Sequence, residues 1–104
     1  MFLVLWEFDV KQGCEERFES AYGPTGDWAR LFGLDSAYQR TLLLRDSSRP
    51  RTYVTLDFWA SQKAYESFRQ ANLETYSALD ERCEELTSAE RKIGAFEQIS
   101  ENSK

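Results

Sequence analysis

Histidine is absent from this chain of 104 residues. That absence removes Ser-His-Asp and Cys-His nucleophilic catalysis, histidine-ligated metals and a proximal-histidine haem from consideration. Cysteine is scarce. Cys14 and Cys83 lie far apart with no CxxC spacing, so neither a metal ribbon nor a disulfide framework is implied. Both thiols are expected to pack as buried or half-buried small hydrophobes. Basic residues are outnumbered 13 to 18 by acidic ones, giving a formal charge of -5. A phosphate-neutralising surface would need clustered Lys and Arg, so nucleic acid is not an expected partner. No apolar run approaches the roughly 18 residues of a membrane-spanning helix. The opening MFLVLWEFDV is apolar for six residues before Glu7, without a basic leader or small-residue cleavage site. No signal peptide and no membrane partner are therefore expected, and the chain reads as soluble and cytoplasmic. GxGxxG, GxxxxGK[ST] and metal-ligand clusters are also missing, so no cofactor is expected.

What is present is a core. The chain is 41% apolar and 14% aromatic, with seven Phe, five Tyr and three Trp. This suits one packed domain, expected over residues 1–99, and argues against disorder. Residues 100–104 read as a polar tail that frays.

Period-two alternation over residues 2–10 places Phe2, Val4, Trp6, Phe8 and Val10 on one side of a strand. The period turns helical from Cys14 to Tyr22, with Phe18, Ala21 and Tyr22 on one face and Glu15 and Glu16 at the positive end of the helix dipole. Gly23-Pro24 stops that helix. Asp27 is predicted to cap a short second helix whose Trp28, Leu31 and Phe32 point inward. Strands are predicted over 37–45 and 51–59, joined by a DSSRP loop. A long helical region over 61–87 follows, with Ser61 as its N-cap. Its apolar stripe is Tyr65, Phe68, Asn72, Tyr76, Leu79, Cys83 and Leu86, and the polar Asn72 marks a break between two helices. A last strand is predicted over 91–99.

The order strand, helix, strand, strand, helix, strand predicts an α+β fold: a ferredoxin-like split β-α-β domain with a four-stranded antiparallel sheet. Both helical segments would cover one face. The other carries Leu3, Leu5 and the TLLL run, too apolar for a face left in water. A homodimer packed sheet to sheet is the expected solution, closing a dimeric α/β barrel.

The strings AYGPTGDWARLF, RTYVTLDFWAS, AYESF and IGAFE resemble the antibiotic biosynthesis monooxygenase family, over about residues 4 to 97. The resemblance implies paired ferredoxin-like protomers, each with a cavity for a small molecule between sheet and helices. It also implies cofactor-independent oxidation of aromatic, phenolic substrates to quinones by O₂, or a non-catalytic domain of the same fold that binds or senses a hydrophobic molecule. Trp59 and Tyr65 resemble a Trp/Tyr pair lining the substrate cavity of quinone-forming members. Thr55 stands where that site is expected to carry an asparagine, and has one hydroxyl in place of an amide.

The residues supply further candidates. Asp57, in the middle of an apolar strand, must be paired, hydrogen-bonded or protonated. It is expected either to pair with an arginine, such as Arg40 or Arg45 or one across the dimer, or to serve as a general base with a raised pKa. Tyr22 and Trp28, flanking the GPTGD breaker, turn inward as core packing or as cavity walls. Phe68 and Asn72 complete the candidate substrate-binding set with Thr55, Asn72 being either an amide for the ligand or a helix-break residue.

Overall fold

The computed structural model describes residues 1–99; the predicted fraying of 100–104 lies outside the described residues. Four strands, β1 (Phe2–Val10), β2 (Tyr38–Arg45), β3 (Thr52–Trp59) and β4 (Thr87–Glu97), form one antiparallel sheet in the order β2-β3-β1-β4. The helices are α1 (Glu15–Tyr22), α2 (Asp27–Phe32), α3 (Gln62–Ala71) and α4 (Leu73–Cys83), and a 3₁₀ turn over Glu84–Leu86 leads into β4. This is the ferredoxin-like α+β arrangement.

Alternation in β1 does what a half-buried strand requires. Phe2, Val4, Phe8 and Val10 are buried on the side that meets the helices, while Leu3 and Leu5 on the other side are half-buried. Phe18 and Tyr22 of α1, Leu31 and Phe32 of α2, Phe68 of α3 and Leu79 of α4 close over that side and join Tyr53 and Trp59 of β3 in one core. Cys83 is buried in it, and Cys14 packs half-buried at its edge. Among the described residues no helix is long and apolar enough to cross a membrane.

The GPTGD segment is a tight corner. A Cβ on Gly26 would lie 2.3 Å from the carbonyl oxygen of Ser20 and 2.6 Å from that of Ala21. Only glycine lets α2 start this close beneath the end of α1, which brings Trp28 to a ring separation of 5.9 Å from Tyr22. The N-cap of α2 is Gly26, not the predicted Asp27, and it makes no side-chain cap. Asp27 is the first helical residue and pairs instead with Arg30 at 3.2 Å.

Ser61 caps α3 as expected, its Oγ accepting from the Ala64 N–H at 3.1 Å. The helical region is broken at Asn72, which ends α3; its Nδ2 donates to the Phe68 carbonyl at 3.0 Å. Helix gives way to strand earlier than predicted. β4 starts at Thr87, opposite Val10, rather than at residue 91, and ends at Glu97 rather than 99. TSAE has little intrinsic strand character, but β4 is an edge strand, and pairing along the whole of β1 supplies what its composition lacks.

Candidate functional site

Between the sheet and the helices lies a half-open cavity of about 170 Å³. Its floor is the middle of the sheet: Trp6 and Phe8 of β1, Thr55 and Asp57 of β3 and Thr41 of β2. Tyr22, Trp28 and Phe32 form one wall from α1 and α2. Arg69, Tyr76 and Asp80 form another across the break between α3 and α4, and Glu90 of β4 lies at the rim. Six of the twelve lining side chains are aromatic.

Of the residues singled out from sequence, Asp57, Thr55, Tyr22 and Trp28 meet at this cavity. Trp59, Tyr65, Phe68 and Asn72 do not line it. Trp59 is fully buried, its ring packed edge-on against Tyr65 at 5.4 Å and Phe32 at 5.5 Å, and tilted against Phe68 at 5.2 Å. Those four rings fill the space under α3 solidly, so the void lies beside them, nearer the middle of β3. Asn72 spends its amide on the backbone of α3.

Among the described residues Asp57 has no arginine partner within the chain, which corrects the expected pairing with Arg40 or Arg45. The Arg40 guanidinium sits 4.5 Å over the Phe58 ring, on the side of the sheet away from the helices, and Arg45 reaches toward Glu19 at 3.8 Å. The β alternation turns Arg40 from the carboxylate, whereas Arg45 shares the inward side of Asp57 but stands four residues beyond Thr41 along β2, opposite Tyr53. The partner of Asp57 is Thr41, whose hydroxyl donates to Oδ1 at 2.7 Å. Burial raises the Asp57 carboxyl to about 6, and the hydrogen bond from Thr41 only partly opposes that rise.

The other ionisable groups around the cavity follow the same physics. Burial raises Tyr22 strongly and pushes Tyr76 up to about 12, so both are neutral phenols at ordinary pH. Glu90 is raised by burial and by the neighbouring Asp80 and Glu84 carboxylates. Arg69 holds its guanidinium 4.4 Å over the Tyr76 ring and 3.4 Å from the Tyr65 hydroxyl. It has no carboxylate within 4.0 Å among the described residues. The indole N–H groups of Trp28 and Trp59 are buried without an acceptor among the described residues. A buried donor left unspent is costly unless something supplies an acceptor, and Trp28 is on the cavity wall.

Sequence reasoning missed Thr41, Arg69, Asp80 and Glu90. Arg69 follows Tyr65 by one helical turn and Tyr76 belongs to the apolar stripe, so that part of the wall had a signal in the spacing. Thr41 had none, since its role comes from being opposite Asp57 across two strands.

No protein-family model and no curated protein matches the chain. Solved structures do. SnoaB, a cofactor-independent oxygenase from Streptomyces nogalater, is 21% identical, with 99% of this chain and 97% of that one aligned at a TM-score of 0.69. A protein of Deinococcus radiodurans provisionally named as an antibiotic biosynthesis monooxygenase is 12% identical, over 96% of this chain and 94% of its own, at a TM-score of 0.76. These likenesses run over nearly the whole length and establish the shared fold.

Proposed function

We propose that the chain is a cofactor-independent monooxygenase acting on a small phenolic or hydroquinone-type aromatic held in this cavity. The observation that carries the reading is Asp57: a buried carboxyl that, among the described residues, no cation bonds, facing a void walled by aromatic rings. A base poised near neutrality is suited to taking a phenolic proton. A cavity of about 150 Å³ accommodates a single benzene-sized ring, so the enclosed part of this one suits one ring, with the remainder of the ligand at the open mouth. The substrate hydroxyl would pass its proton to Asp57, and the electron-rich anion would reduce O₂ directly. One oxygen atom becomes the new quinone carbonyl. The other leaves as water with two hydrogens from the substrate. The protein's part is orientation, exclusion of water and, through Arg69, stabilisation of developing negative charge. SnoaB, of the same fold, is a cofactor-independent oxygenase, which supports this class of reaction.

The reading includes a homodimer paired through the uncovered sheet face, where Leu44 and Phe96 are about half exposed and Leu3, Leu5 and Leu56 are half-buried. A non-catalytic domain that binds a hydrophobic molecule is the alternative, favoured by Thr55, which offers only a hydroxyl where an amide would be expected to hold an oxyanion. Oxygen uptake with dihydroxyarenes decides between them. Uptake that is lost in Asp57→Asn supports the enzyme; a ligand-induced rise in melting temperature with no oxygen consumed supports the binding domain.

A further inference from the structure

If Asp57 acts as the base proposed above, it must be ionised where burial favours the neutral acid, and the structure contains an arrangement that works against burial. Thr41 is the cross-strand partner of Asp57, and its hydroxyl donates to Oδ1 at 2.7 Å. That donation uses the only proton Thr41 has. In the 2.6 Å contact between Thr41 Oγ1 and the Tyr38 hydroxyl, the phenol must therefore be the donor. The result is a one-way chain, Tyr38 to Thr41 to Asp57, in which each hydroxyl polarises the next.

Such a chain cannot form on a regular strand. Tyr38 and Thr41 are three residues apart, and an odd spacing puts two side chains on opposite faces. A register shift in β2 between Tyr38 and Arg40 adds the extra residue that brings both to the cavity side. The Tyr38 ring is then fixed against Trp59 at 5.4 Å and Phe32 at 5.6 Å. Among the described residues no donor reaches the second carboxylate oxygen, Oδ2.

We propose that Tyr38 and Thr41, aligned by the β2 bulge, are positioning residues that hold Asp57 as the carboxylate and leave Oδ2 unbonded for the acidic proton of the ligand. Other titratable or charged groups face Asp57 from the packed elements: Tyr22 of α1, Arg69 of α3, Tyr76 and Asp80 of α4, and Glu90 of β4. Among the described residues only Thr41 bonds to it.

The test is carboxyl-carbon NMR titration of protein labelled at aspartate, with the Asp57 signal assigned by its loss in Asp57→Asn. In Thr41→Val the Asp57 midpoint is expected to move up by about one pH unit or more, a roughly tenfold loss of the carboxylate form on the acid side. Thr41→Ser restores the wild-type midpoint. Tyr38→Phe moves it in the same direction by less, since the Thr41 bond survives. A Thr41→Val midpoint that stays in place or falls overturns the proposal. Should that variant fail to fold, an unmoved midpoint in Tyr38→Phe does the same. This readout needs no turnover. A shifted midpoint in a protein that consumes no oxygen would sink the monooxygenase reading and leave the chain standing. Where turnover is present, the acid limb of the rate profile must move with the NMR midpoint.

Discussion

Asp9 and Asp57 stand on neighbouring strands, and each accepts a hydrogen bond from the threonine directly across from it: Thr52 at 3.0 Å and Thr41 at 2.7 Å. Their protons are nevertheless held in opposite ways. Asp9 lies on the open side of the sheet, where Arg91 hydrogen-bonds it at 3.1 Å, and that guanidinium keeps its carboxyl below the usual carboxylate range. Asp57 lies on the covered side, with no cation bonded to it among the described residues, and burial lifts it to about 6. The threonine is common to both, so it is not what separates them. Water and arginine are. One side of the sheet spends its charges in exposed ion pairs among Glu7, Asp9, Arg49 and Arg91, and the other buries the Asp57 carboxylate beside an aromatic void.

The strongest way to break this contrast is Asp57→Asn. On the proposed mechanism it removes the base, and oxygen uptake should fall by a factor on the order of a hundred or more. Stability should move the other way. The folded-state pKa of Asp57 is raised above its ordinary value of 3.8, so its contribution is intact below about pH 4 and is lost as pH rises through about 6. A two-unit rise corresponds to about 3 kcal/mol of cost at neutral pH. Denaturant unfolding of Asp57→Asn should therefore show a gain near that size at pH 8, and none at pH 4. A variant less stable than wild type at pH 8 would mean that the carboxylate is better solvated than its burial suggests.

The open side provides the next test. Leu44→Glu puts a charge into the proposed dimer interface, twice over if a two-fold axis relates the copies. It should weaken association by roughly a hundredfold or more while leaving the monomer folded. Sedimentation velocity across a concentration series reads this directly, and a wild-type chain that remains monomeric at micromolar concentration removes the dimer altogether.

The roof of the covered side is tested by Gly26→Ala. The new Cβ meets two backbone carbonyls that cannot rotate away, so α2 must shift against α1 at a cost of about 1–3 kcal/mol. Tryptophan fluorescence should change with it, because Trp28 rides on α2. The smallest effect is expected from Asp9→Asn. Its folded-state pKa is lowered, so the contribution of Asp9 is present above the ordinary carboxylate pKa and disappears as pH falls through the lowered one. An exposed pair of this kind is weak and screened. The change in melting temperature should be the least of the four, and smaller again in high salt. A larger effect than that of Gly26→Ala would show that the exposed network braces the sheet.

Several features were legible without coordinates. The alternation of β1, the stripe from Tyr65 to Leu86 with its break at Asn72, and the corner between Tyr22 and Trp28 all reflect local periodicity and breaker chemistry. Neighbours a few residues apart are enough to set them. The start of β4 at Thr87 was not legible, because TSAE becomes strand only by pairing with β1. The candidate site was partly legible: a carboxylate inside an apolar strand announces itself, and so do the aromatics around a glycine corner. Nothing in the spacing said that the void would sit beside Trp59 and Tyr65, whose rings pack into solid core with Phe32 and Phe68.

By itself the amino-acid order determined the ferredoxin-like topology, an apolar second side to the sheet and a set of side chains without histidine. The folded structure decided which partner Asp57 has, which of its oxygens is left unbonded and where the cavity opens. The reason is physical. Periodicity is a property of a segment, whereas the proton affinity of a carboxylate depends on the water around it and on groups brought alongside by other strands. Thr41 lies sixteen residues away along the chain, and a bulge in β2 is what sets Tyr38 behind it.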